Sequence, residues 1–216
     1  MKIAVIGATG FVGKHILLEL VNRDHAIKAL ARHIENIPVQ AKVEKIALDV
    51  NNIDQLAASL SDVDVVVSAY NAGWTNPNLY DDFLKGAKAI QEATLKAGVK
   101  RFIVIGGAGS LQATPDVQIV DTPEFPAEIK PGALAARDYL NILKEEEKLE
   151  WTFFSPAPEM HAGTSGVRRG IYRLGTDYPV ADEHGRSVIS VEDVAVVIAD
   201  EVEQPKHSNQ RFTAAY

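Results

Sequence analysis

The sequence predicts an α/β fold, an open and doubly wound parallel sheet with a small C-terminal lobe. Three observations point there. Short β-branched apolar runs alternate with longer segments of helical periodicity, a glycine-rich turn joins the first run to the first helix, and the connections lengthen sharply after the fourth run. Apolar runs without polar alternation are strands buried on both faces, and regular strand–helix alternation implies right-handed crossovers with helices on both sides of a parallel sheet.

The first strand is KIAVI at 2–6, followed by the helical pattern VGKHILLELVNR. IKAL at 27–30 and VEKIAL at 43–48 are the next two strands, with NIDQLAASL as the helix after them. VDVVVSA at 63–69 leads into a long helix over 78–97, and RFIVI at 101–105 precedes the helix ALAARDYLNILKEEEK. WTFFS at 151–155 is the sixth strand. Ser190, with Asp193 three residues on, is a capping pattern ahead of VAVVIADEV, and RFTAAY is a terminal strand expected to complete the lobe. The whole chain reads as a single domain over 1–216, with 156–189 and 204–216 contributing the substrate lobe. The connections after the last three of these six strands are long, and in an open parallel sheet they wall the ligand crevice. Pro115, Pro123, Pro126 and Pro131 set the middle one against helix.

The 216 residues are 46% hydrophobic and 24% charged, as expected of a globular chain with a sizeable core. The net charge of −7 opposes nucleic acid and anionic lipid, and the pair Arg168-Arg169 reads as a solvated turn. The absence of cysteine excludes disulfides and thiolate chemistry and fits a reducing compartment. With no signal-like N-terminus and no spanning segment, the expectation is a cytoplasmic protein whose partner is a small-molecule acceptor, with a homodimer as an option and no membrane.

GATGFVG carries the cofactor signal. Gly7 permits a tight turn, Gly10 lets backbone approach a pyrophosphate, and Gly13 lets the helix pack against the strand. Thr9, Phe11 and Val12 complete the loop and the first helical turn, whose free amides and positive dipole suit phosphate. At the end of the second strand, where NAD enzymes present a carboxylate to the ribose, this chain has Arg32, which suits the 2′-phosphate of NADP and favours NADP(H) over NAD(H). Asp49, followed by Val50, closes the third strand and is either an acceptor for the adenine amino group or a turn residue.

Taken in order, GATGFVG, Arg32, Asp49, VVSAYNAGW, IGGAGSL, SPAPEM and ISVEDVA make the chain resemble the atypical short-chain dehydrogenase/reductase superfamily. Its NADH-flavin reductase-like and NAD-dependent epimerase/dehydratase-like members are most similar, with biliverdin reductase B and NmrA-like proteins more distant. The resemblance implies a Rossmann-type fold, an NAD(P) cofactor, and Ser68, Ala69, Tyr70, Gly106, Gly107 and Pro156 along the nicotinamide side. Members of the wider superfamily donate a proton from a Tyr assisted by a Lys four residues later, and none of the six tyrosines here has that Lys. Tyr139 is followed by Lys144 at five residues, off the matching helix face, and reads as a packing residue.

The glycines after the fifth strand stand where the superfamily carries a hydroxyl, and are expected to let a flat ring approach the backbone. Ser110 is the nearest hydroxyl, either catalytic or capping a turn, and His161 is a second candidate for proton delivery. Tyr70, Trp74 and Tyr80 are candidates for an aromatic platform under the substrate, and Glu159 is a weaker candidate acid. The six histidines show no helix-face pair for a metal, and no Gly-x-Ser-x-Gly elbow occurs. The leading expectation is an NAD(P)H-dependent reductase passing hydride to a flavin or quinone. The alternatives are an NADP(H) sensor of the NmrA-like kind and a nucleotide-sugar epimerase or dehydratase.

Overall fold

The computed structural model describes residues 1–38 and 40–216. In chain order the elements are β1 (Lys2–Ile6), α1 (Phe11–Asn22), β2 (Ala26–Ala31), β3 (Val43–Ala47), α2 (Ile53–Leu60), β4 (Val65–Ser68), α3 (Leu79–Lys96) and β5 (Arg101–Ile105). They continue with β6 (Gln112–Thr114), β7 (Val117–Gln118), α4 (Lys130–Lys144), β8 (Glu150–Phe154), β9 (Arg173–Gly175), α5 (Val191–Glu203) and β10 (Gln210–Ala215). The main sheet has the order β3-β2-β1-β4-β5-β8-β10-β9. Every pairing in it is parallel except β9 against β10. The chain builds outward from β1 to β3, then restarts at β4 and builds the other way. The switch point therefore lies between β1 and β4, and the crevice outside their carboxyl ends is where such sheets bind ligands.

Alternation along each strand explains why the apolar runs are unbroken. Ile3 and Val5 face a core shared with α1 and α5, whereas Ala4 and Ile6 face one shared with α2, α3 and α4. Both faces are covered, so both parities are mainly apolar, and the polar side chains the inner strands do carry, such as Lys28, Arg101 and Thr152, are buried and hydrogen-bonded. The chain connects helices at the amino edge with short turns and reserves length for the carboxyl edge.

Three local expectations are revised by tertiary context. Pro131 lies in the opening turn of α4, where its fixed φ fits and its missing amide would have had no intrahelical acceptor. The stretch between β5 and α4 contains the small hairpin β6–β7. The terminal strand β10 lies inside the main sheet, parallel to β8, and only β9 of the 156–189 segment extends that sheet.

Arg168 and Arg169 are exposed, as a solvated turn requires, and they also act as anchors. Arg168 pairs with the buried Glu19 of α1 (Nη2–Oε1 2.8 Å), and the Arg169 guanidinium lies 3.9 Å from the centre of the Tyr216 ring. The Arg169 and Gly170 amides donate to buried Asp193, which also accepts from the Tyr216 hydroxyl. Ser190 caps α5 as its sequence pattern predicts, accepting from the Asp193 amide at 3.1 Å. No helix among the described residues is long and apolar enough to cross a membrane.

Candidate functional site

The turn after β1 is sterically committed to glycine. Gly7 has φ +79°, and a Cβ there would stand 2.5 Å from the Ala69 carbonyl oxygen. At Gly13 a Cβ would stand 2.2 Å from the Gly7 oxygen, so helix and turn touch through backbone alone. Gly10 donates to the Gly7 carbonyl (2.9 Å) and caps α1 without a side chain, leaving the helix mouth open. Phe11, Val12 and Gly13, as the opening turn, have no intrahelical acceptor for their amides, and no acidic side chain occupies that turn.

Beside this mouth is a cleft of about 290 Å³ at the carboxyl ends of β1, β2 and β4. Gly7, Thr9, Gly10, Arg32, Asp49, Val50, Ala69 and Tyr70 all line it. Arg32 is exposed and makes no ion pair among the described residues. Asp49 accepts from both the amide and the side-chain nitrogen of Asn51 (2.9 Å each). The Asn51 amide bond, with Arg32 and Lys85 nearby, holds the Asp49 carboxyl below its usual range. Asp49 is thus both a turn residue and a charge in the cleft. The Tyr70 ring packs on α3, where a Cβ at Gly86 would lie 2.4 Å from it, and its hydroxyl donates to the Asp82 carbonyl at 3.2 Å. Burial pushes the Tyr70 phenol up.

Five polar cleft residues escaped the sequence reading: Asn51, Asn71, Asn76, Asp82 and Lys85. The available signal was weak. Asp82 and Lys85 lie three apart on α3 and so share the face turned to the cleft, yet nothing in the sequence shows that this face returns to β2.

The remaining expected residues lie outside the cleft. Ser68, Gly106, Gly107 and Pro156 sit at or just beyond the carboxyl ends of β4, β5 and β8. Gly106 has a different reason from the one expected, because a Cβ there would stand 2.0 Å from the Phe153 ring. The missing side chain makes room for the core. At Gly107 the nearest atom to a Cβ would be Ala136 Cβ at 3.9 Å, so that position alone keeps an open face.

Ser110 is 1% exposed; its hydroxyl donates to the Gly107 carbonyl (3.0 Å) and meets the Ser155 hydroxyl at 2.9 Å. In this conformation it holds the turn and does not reach an acceptor. His161 is exposed, and its Nδ1 accepts from the Gly163 amide at 3.0 Å. Glu159 pairs with Arg186, which lowers its carboxyl pKa and favours the ionised form, with no proton to donate.

The expected aromatic platform is not assembled. Tyr70 walls the cleft, and Tyr80 donates to Asp138 at 2.7 Å. Trp74, 60% exposed, covers Gly132 at the start of α4, where a Cβ would lie 2.8 Å from the indole. Tyr139 is 1% exposed, with burial raising its phenol pKa and its hydroxyl bonded to Gln91 at 3.1 Å. No group of three His, Cys, Asp or Glu among the described residues could hold a metal ion.

Residues 7–205 match the model of a family described as NAD(P)H-binding. Three solved structures are similar over the whole chain. A "putative epimerase" from Bacteroides thetaiotaomicron is 42% identical, covers 100% of this chain and 96% of its own, and has a TM-score of 0.91. A "putative exported protein" from Burkholderia pseudomallei is 41% identical over 100% of both chains, with a TM-score of 0.87. A "putative NADH-flavin reductase" from Streptococcus pneumoniae is 34% identical over 100% of this chain and 99% of that one, with a TM-score of 0.86.

Proposed function

The chain belongs to the NAD(P)H-binding family, and from that premise we propose that it is a reductase that takes NADPH and reduces a flat, electron-poor acceptor such as a flavin or quinone. When bound, the cofactor supplies a hydride, and a delocalised acceptor anion takes its proton from water. The chain's own residues supply binding and orientation. The glycine turn and the α1 amides fit a pyrophosphate, because a Cβ at Gly7 or Gly13 would fill the cradle. Arg32 receives the ribose 2′-phosphate and thereby selects NADPH over NADH. Asp49, held ionised, accepts from the adenine amino group.

The observation that carries the choice of acceptor is the burial of Tyr139. With no tyrosine–lysine pair available, an acceptor that needs a protein acid is poorly served, whereas a flavin or quinone is not. The name of the pneumococcal relative agrees with this reading. Trp74 offers the exposed ring face on which such an acceptor stacks. We place the protein in the cytoplasm, where the reduced cofactor is found; the name of the Burkholderia relative makes fractionation of native cells the direct check.

The test is NADPH oxidation at the nicotinamide absorbance band against free flavins and quinones. Saturable turnover supports the reductase. Tight NADPH binding without consumption favours the second reading, a sensor of cofactor redox state, which the buried hydroxyls of Ser110 and Tyr139 also suit. A sensor must bind oxidised and reduced cofactor with different affinities, since equal affinities shift no equilibrium.

A further inference from the structure

Arg211, the first residue of the RFTAAY strand, is a buried cation far along the chain from the glycine turn. It lies on β10 opposite Phe153 of β8 and is 9% exposed. Its guanidinium works in two directions. Nη1 donates to the Ser110 carbonyl, in the turn that follows β5, and Nη2 pairs with Asp177, just beyond β9 in the lobe that follows β8. The same two segments meet again through backbone, where the Gln112 amide donates to the Asp177 carbonyl at 2.8 Å. Gln118 of the hairpin adds a second donor to the Ser110 carbonyl at 3.1 Å.

A buried guanidinium is costly to desolvate and leans on the donors that are used. Nε has no partner, whereas Nη1 and Nη2 bridge two segments that share no other ion pair among the described residues. The turn follows the carboxyl end of β5, and the antiparallel β9 brings Asp177 back alongside Arg211 of β10, on the side of the sheet away from the cleft beside the glycine turn. Arginine suits the position because its planar fork reaches two acceptors at once; a lysine ammonium on a flexible stem is a point charge.

We infer that Arg211 is a positioning residue, a strut that sets the spacing between the Gly107–Leu111 turn and the Asp177 end of the lobe. On the reductase reading proposed above, that spacing fixes the width of the acceptor site. Arg211 touches neither cofactor nor acceptor in this role. Its loss loosens one half of the carboxyl edge and leaves the glycine turn alone.

Two variants test the strut. Asp177→Asn changes a side chain that is 63% exposed and removes only the lobe-side charge, so the protein should fold. Arg211→Lys keeps the charge and loses the fork. The first readout is amide hydrogen exchange of the full chain without ligand. Exchange at Leu111 and Gln112 should accelerate about tenfold, as for a local opening eased by about 1.4 kcal/mol, while Lys14 and the rest of α1 stay unchanged. Unchanged exchange at those amides, or equal acceleration everywhere, overturns the strut. The second readout is kinetic: KM for the acceptor should rise by about tenfold with NADPH affinity unchanged, and loosened loops with an unaltered KM overturn the link to the acceptor site. If wild type oxidises NADPH with none of the flavins and quinones, the reductase reading fails, and exchange alone still decides the strut.

Discussion

The two halves of the carboxyl edge are built on different principles. On the β1–β2 side the ligand surface is largely backbone. Glycines are forced because a Cβ would stand only 2.2 or 2.5 Å from a backbone oxygen, a helix mouth is left uncapped by side chains, and the cleft is already formed. On the β5–β8 side the polar side chains of loops, helices and strand are occupied with one another: Ser110 with Ser155, Tyr80 of α3 with Asp138 of α4, Arg211 of β10 with Asp177. A ligand common to many proteins is met by a local, sterically dictated device. On the reductase reading, selection of an acceptor falls to segments that can vary while the sheet stays the same.

Substitutions can break this contrast or sharpen it. The largest effect is expected from Gly13→Ala, which drives a methyl into the Gly7 carbonyl. Overpacking of about 2–3 kcal/mol should appear in thermal unfolding, together with NADPH binding weakened by roughly thirtyfold or more in calorimetric titration. Normal binding by this variant would mean that the turn is not the phosphate cradle.

Arg32→Glu comes next. Losing a charge-assisted contact costs about 1.5–3 kcal/mol, so NADPH affinity should fall by about tenfold to a hundredfold, with NADH affinity little changed. Equal losses for both cofactors would remove the case for 2′-phosphate recognition.

A paired comparison separates the two glycines after β5. Gly106→Ala should lower stability by about 1–3 kcal/mol through collision with Phe153, whereas Gly107→Ala should stay within about 0.5 kcal/mol. Chemical denaturation reads both directly. The reverse order would mean that Gly106, not Gly107, carries the functional constraint.

Trp74→Ala should remove about 0.5–1.5 kcal/mol of ring stacking. That is a several-fold rise in the acceptor KM with the NADPH dissociation constant unmoved. If instead cofactor affinity falls, the indole belongs to the first half of the edge.

The smallest kinetic effect is expected from Ser110→Ala. Deleting one hydroxyl of a buried pair should cost about 1 kcal/mol of stability and leave kcat unchanged. A large drop in kcat would show that the turn opens during turnover and presents the hydroxyl.

How much of this was legible follows the same division. The strand runs, the helix after GATGFVG, and the positions of Gly7, Gly13, Arg32 and Asp49 could be read directly, because each depends on neighbours in sequence or on the fixed geometry of a strand–turn–helix unit. The first turn of α4 was hidden by Pro131, which breaks a helix interior and starts a helix equally well. The hairpin β6–β7 was hidden because two- and three-residue strands leave no periodic signal.

The sequence by itself determined the doubly wound sheet and the cofactor half of its edge, since alternation, periodicity and the steric demands of glycine act over a few residues. Only the tertiary structure decided the other half. Arg211 and Ser110 lie 101 residues apart, and Tyr80 and Asp138 lie 58 apart. Which of two chemically competent groups a hydroxyl or guanidinium meets depends on how separate crossovers stack, and local sequence carries no record of that. Whether Gly106 yields space to a cofactor or to Phe153, and which partners the exposed Arg168 and Arg169 find in Glu19 and Tyr216, was settled by the same long-range packing.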